Sequence, residues 1–227
     1  MVAPPWNLVG CVAILYHPSY NRKHLFARVV HIRINGSVMV DTEKHPFWQF
    51  SISVYARDGV APACIALQEE CGVDVNILLF CCWGASIGGG RLSGEELQAL
   101  HNAVSDWNQG VVQGLRVVRN RLKGGVEGFN AEESETLRQR ILGIEINAEH
   151  KEQIKLAETV VVAGDEDIPA VARLRACALN LAEYFQMTSR GHSQNQNSAL
   201  KTILCAVFSE LEEGDVETAI GTAFTQN

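Results

Sequence analysis

Asn130-Ala131-Glu132-Glu133-Ser134-Glu135-Thr136-Leu137-Arg138-Gln139-Arg140-Ile141-Leu142-Gly143-Ile144-Glu145-Ile146-Asn147-Ala148 and its continuation to Val160 decide the fold. Asn130 with Glu133 three residues later is a helix-start pattern, because side-chain oxygens there satisfy N–H groups that the first turn leaves free. No proline interrupts the stretch. Leu137, Ile141, Ile144 and Ala148 follow at spacings of four, three and four, which places them on one helical face. The spacing predicts one long helix over residues 131–160 with that stripe on the core. Glu145, Glu149 and Glu152 share another face, expected to be a solvated acidic stripe rather than a two-metal site.

Helical signals continue on both sides. Pro46 to Tyr55 reads as a helix stopped at Asp58-Gly59, and Pro62 to Gly72 as a second. Asp74 is placed to cap a third, which runs through Ile77-Leu78-Leu79-Phe80 to Trp83 and stops at Gly88-Gly89-Gly90, read as a flexible hinge. Ser93 with Glu96 forms a capping box for a fourth helix reaching Trp107, and a fifth spans Val111 to Lys123. Beyond the long helix, Asp167 and Pro169 open another to Gln186, and Thr188 to Asn197 is a polar loop. Residues 198–212 and 215–224 read as two short helices, the last capped by Asp215. The expected fold is all-α, a bundle of seven to nine helices with no significant sheet.

Composition sets the outer bounds. The 227 residues are 47% hydrophobic and 20% charged, enough apolar material for one core. No apolar run reaches the roughly 18–20 residues of a membrane helix. A formal charge of −7 argues against a dedicated nucleic-acid binder. Before Met39 the only charged residues are Arg22, Lys23, Arg28 and Arg33, and every Asp and Glu lies after it. That shift marks residues 1–38 as a non-native or disordered extension, with Met39 the expected start and 39–227 a single helical domain. Leu8-Val9-Gly10-Cys11 has the form of a lipoprotein box but lacks a basic segment before it, and Asn35-Gly36 suits a small hairpin.

Candidate chemistry is sparse. The seven cysteines form no C-x-x-C pair, so zinc ribbons and thioredoxin-type sites lack their spacing, and buried free thiols are expected. Cys64 with His101 is the one nucleophile–base pairing left open. No Glu-x-x-His pair occurs, and no metal or cofactor is expected. Arg116, Arg119 and Lys123 share a helical face; they either hold a phosphate or carboxylate or bond acidic neighbours within the bundle, the second being the more common arrangement. Asp74 is explained as a cap. Asn76 is not, and a buried amide there needs partners, Arg116 or Arg119 among the candidates. Trp48 and Tyr55 fall at helical spacing with Phe47 and Phe50 and read as core that can line a pocket.

Phe47-Trp48-Gln49-Phe50-Ser51, Tyr55, Gly59-Val60, Ala63-Cys64, Leu67-Gln68, Gly72, Asp74-Val75-Asn76 and Leu78-Leu79-Phe80 resemble a proteobacterial family of hypothetical proteins, a domain of unknown function. The resemblance runs from about Met39 into the long helix and implies no reaction, substrate or catalytic residue. Two functional expectations follow. The first is a cytoplasmic helical interaction or accessory protein without catalytic activity, its partner another protein. The second is a small-molecule binder or enzyme with a polar pocket gathered from Asp74, Asn76, Arg116, Arg119, Tyr55 and Trp48. The second requires those side chains to converge on a concave site with spare volume.

Overall fold

A computed structural model describes residues 45–188 and 195–225. The expected start at Met39, the Cys11 box and the Asn35-Gly36 hairpin lie outside the described residues. Within them every regular element is helical: α1 Pro46–Tyr55, α2 Val60–Cys71, α3 Val75–Ser86, α4 Gly94–Trp107, a π turn Asn108–Val112, α5 Gln113–Arg121, α6 Ala131–Thr159, α7 Ala170–Thr188, α8 Gln196–Val207 and α9 Glu213–Thr225. Because α4 continues through the π turn into α5, the described residues form eight helical rods.

Local chemistry sets most of the boundaries. His45 Nδ1 accepts from Phe47 N at 3.3 Å beside Pro46, which fits the first helical turn because it has no N–H to satisfy. Asp74 accepts from Asn76 N at 2.8 Å, and Asn130 accepts from Glu132 N and Glu133 N. Ser93 and Glu96 close the reciprocal capping box. The second helix begins at Val60, before Pro62, because Gly59 adopts a left-handed conformation that turns the chain into it. Asp215 lies inside α9 rather than capping it, since that helix already starts at Glu213.

Helix α3 is the axis of the core. Ten of its 12 residues are buried, so it is covered on all sides. It packs chiefly on α7, with α6, α1, α2 and α8 around it. Its C-terminus is tied down, which corrects the expectation of a flexible hinge at Gly88-Gly89-Gly90. Asp165 N donates to Ile87 O at 2.8 Å, and Arg173 Nη1 to Ser86 O at 2.5 Å. The Asn180 amide accepts from Leu92 N and donates to Gly90 O. Gly88 has φ 87°, and a Cβ there would lie 2.0 Å from Asp165 O; at Gly89 it would meet Val162 Cγ1 at 2.0 Å. These glycines permit close backbone approach rather than movement.

The long helix corrects the sequence reading most. Its bounds agree, but the face toward the rest of the molecule carries Ser134, Leu142, Glu145, Ala148, Glu149, Glu152, Gln153 and Leu156. Leu137 and Ile144 are 49% and 54% exposed, and Glu145 is fully buried. The acidic stripe expected in solvent is inside, and two members of the expected core stripe are outside. Of the buried residues of α6, only Leu156 joins the main apolar core; α5 contributes none. The run from Asn108 through α5 and back along the first half of α6 is thus an antiparallel arm joined to the body by something other than that core.

The glycine packing has a measurable consequence. Gly88→Ala combines an unfavourable φ with a backbone clash, so its urea midpoint should correspond to a loss of roughly 2–4 kcal/mol. A loss within experimental error would show that this turn has room to move.

Candidate functional site

The arm is joined to α6 and the body by a seam of buried polar groups. Arg116 Nε donates to Glu145 Oε1 at 3.1 Å and its Nη2 to Glu149 Oε1 at 3.1 Å. Arg119 Nε donates to Glu145 Oε2 at 2.5 Å and its Nη2 to Glu145 Oε1 at 3.3 Å. Gln113 Oε1 accepts from Arg116 Nη1. Two guanidiniums and two carboxylates therefore meet away from water with opposite charges in contact and the planar donors matched to acceptors, the arrangement in which a buried ion cluster is tolerated.

Along α6 toward its C-terminus the seam becomes an amide and carboxyl network. Trp107 Nε1 donates to Ala148 O at 3.0 Å. Asn108, first residue of the π turn, donates through Nδ2 to both Glu152 oxygens at 3.2 and 3.3 Å. Gln153 Nε2 donates to Asn76 Oδ1 at 2.8 Å, and the Tyr184 hydroxyl accepts from Asp74 N at 2.9 Å. Burial, reinforced by the neighbouring Asp74 carboxylate, pushes the Glu152 carboxyl up to about 10. Glu152 is therefore protonated at neutral pH and shares a hydrogen bond with Asp74. Gln153 Oε1 is the buried acceptor of the network that lacks a hydrogen-bond partner.

The six sequence-derived site residues occupy different places. Asp74 and Asn76 meet Glu152 and Gln153, not Arg116 or Arg119. The two arginines bond acidic neighbours of the bundle. Trp48 stacks on His150 with ring centroids 4.3 Å apart, and Tyr55 is buried in the core. A cleft of about 320 Å³ between α7 and α9, bordered by Arg175, Asp215 and Thr218, contains none of the six. Glu145, Glu149, Glu152, Asn108 and Gln153 are the members that sequence reasoning missed. The available signal was the match between Arg116/Arg119, three apart on one helix, and Glu145/Glu149, four apart on the next.

Cys64, Cys81, Cys82 and Cys177 are buried in the apolar core. Burial raises the thiols of Cys64, Cys81 and Cys177 well above the ordinary value, so they are packing groups rather than nucleophiles, and the Cys64–His101 pairing loses its chemical basis. Among the described residues no group of three His, Cys, Asp or Glu could hold a metal ion, and no helix is long and apolar enough to cross a membrane.

Residues 46–156, from α1 to the buried end of α6, match a family model described as a protein of unknown function, DUF2390. Residues 46–156 are a DUF2390 domain. No curated protein and no solved structure matches the chain. The DUF2390 segment holds Asp74, Asn76, Asn108, Arg116, Arg119, Glu145, Glu149, Glu152 and Gln153, so the seam is built inside it apart from Tyr184 of α7.

The outer surface of the same arm is apolar. Phe129 at its tip is 74% exposed, and Val117, Val118, Leu137 and Ile144 are exposed large apolar side chains. Leu137 and Ile144 stand one position before Arg138 and Glu145 on α6; Leu115, Val118 and Leu122 stand one position before Arg116, Arg119 and Lys123 on α5. In an antiparallel pair of right-handed helices, positions with the same offset from the shared seam fall on the same side. Leu115, Val118 and Leu122 therefore run alongside Leu137 and Ile144 as one strip, ending at Phe129.

Two measurements test the seam. Glu145→Gln leaves two buried guanidiniums short of charge and should cost roughly 3–5 kcal/mol in chemical denaturation. Glu152 binds its proton more tightly folded than unfolded, so it makes folding stability fall as pH rises from the ordinary carboxylate range toward about 10. Wild type should lose stability between about pH 5.5 and about pH 8, at up to about 1.4 kcal/mol per pH unit, relative to Glu152→Gln. Parallel pH profiles would mean that Glu152 is ionised in the folded protein.

Proposed function

We propose that the protein is a cytoplasmic helical interaction module, without catalytic activity, whose partner-binding element is the α5–α6 arm. The observation that carries this reading is the strip formed by Val118, Leu137, Ile144 and Phe129, large apolar side chains on one side of an arm whose central seam is fixed by ion pairs. Isolated exposed apolar residues are ordinary, but a contiguous run on a rigid element is what protein partners bury.

The polar-pocket alternative has less support. The Arg116 and Arg119 guanidiniums bond Glu145 and Glu149 across the seam, Asp74 is occupied as a cap, and Asn76 bonds Gln153. Groups satisfied by one another fix the position of a helix and present little to a ligand. Trp48 and Tyr55 are placed elsewhere, by stacking and core packing.

The reading predicts that a photo-crosslinking amino acid at Ile144 or Leu137, in protein expressed in its own host, yields a defined crosslinked protein band, whereas one at the exposed position Thr218 on α9 yields none. Crosslinks of equal yield at the three positions, or none at any, would remove the arm as the interaction element.

A further inference from the structure

The occupant of the apolar strip is identified by the charges beside it. On α6, Glu133 and Arg140 stand on the same side as Leu137 and Ile144, spaced seven apart like the apolar pair, and both are exposed. Neither side chain makes an ion pair or hydrogen bond among the described residues, although Glu135 and Arg138 on the same helix do pair, at 2.7 Å. An unpaired acid and an unpaired base on either side of Leu137 are self-complementary under a two-fold axis perpendicular to the helix.

We propose that the strip binds a second copy of this chain, with the first halves of the two α6 helices packed antiparallel about a two-fold axis near Leu137. This rests on the interaction reading above and names its partner. With Glu133 of one copy set opposite Arg140 of the other, symmetry makes the same pair twice. The same register brings Leu137 against its symmetry mate and sets Phe129, at the tip of each arm, opposite Ile144 of the other copy. Three independent features, two charges, a central leucine and a terminal aromatic, thus agree on one register. A two-fold interface is the common solution when one surface complements itself. Two helical hairpins meeting on such faces reproduce the packing of a four-helix bundle.

The inference also accounts for the arm's construction. An arm that leaves the apolar core must keep a fixed face if a second copy is to find it, and a seam of directional ion pairs holds rotation more closely than apolar contacts alone. Charges at the rim of such an interface set register and partner choice rather than supplying most of the affinity.

The test is sedimentation equilibrium of the full chain across the micromolar range, with helicity checked by circular dichroism because every substituted position is exposed. Wild type should show a concentration-dependent monomer–dimer equilibrium, and Ile144→Glu should be monomeric throughout. Glu133→Arg and Arg140→Glu should each weaken association roughly tenfold or more, because each replaces two attractions by two repulsions, and the double variant Glu133→Arg/Arg140→Glu should restore it. A wild-type monomer at every concentration, a dimer indifferent to Ile144→Glu, or a double variant as weak as the single ones overturns the proposal. A monomer that still crosslinks from position 144 to a different protein overturns this inference alone, whereas a monomer with no crosslink removes the interaction reading with it.

Discussion

Arg116 and Arg119 of α5 meet Glu145 and Glu149 of α6 in a region with almost no access to water, and the rest of the arm depends on that meeting. Removing these charges from water is costly, and the cost is offset only where each guanidinium donor finds a carboxylate oxygen at hydrogen-bond distance. That requirement fixes both the axial offset and the rotation of α5 on α6. It also explains why α6 can run for 29 residues while placing only Leu156 in the main core. Its inner face is held by ion pairs and amides instead.

The body of the protein is built by different physics. Helix α3 is apolar apart from Asn76 on its buried surface and is enclosed by its neighbours, with the buried thiols of Cys81 and Cys82 on it and glycine contacts that let residues 162–165 close over its end. The π turn links the two regimes. At that point the rod leaves α4, whose buried leucines belong to the core, and enters α5, whose buried residues are arginines. Asn108 at the start of the turn bonds Glu152, so the change of register coincides with the neutral carboxyl that separates the charged part of the seam from the core.

The helices were legible in the sequence wherever a short-range pattern controls them. Asp74, Ser93 with Glu96, and Asn130 act as the caps their positions imply, because capping involves atoms only two or three residues apart. The face of α6 was not legible in the same way. Leu137, Ile141, Ile144 and Ala148 satisfy helical spacing as well as any core stripe does, and the glutamates beside them match a solvated one. What reverses the assignment is a partner helix about thirty residues upstream carrying arginines at matching spacing, information that no window on α6 contains. The bonding of Arg116 and Arg119 to acidic neighbours was within reach of the sequence; which acids, and the burial of the whole cluster, were not. The position of Asn76 at the start of an apolar helix implies a buried amide, yet its partner Gln153 lies on a helix whose orientation no local pattern sets.

If the ion cluster is what attaches the arm, weakening it should loosen the arm without loosening the body. Native-state hydrogen exchange, read residue by residue in wild type and Arg119→Met, measures this most directly. Amides of α5 and of α6 from residue 131 to 147 should exchange at least roughly tenfold faster in the variant while those of α3 and α7 keep their protection. Equal loss of protection in α3 and α7, or an unchanged arm, would contradict the account.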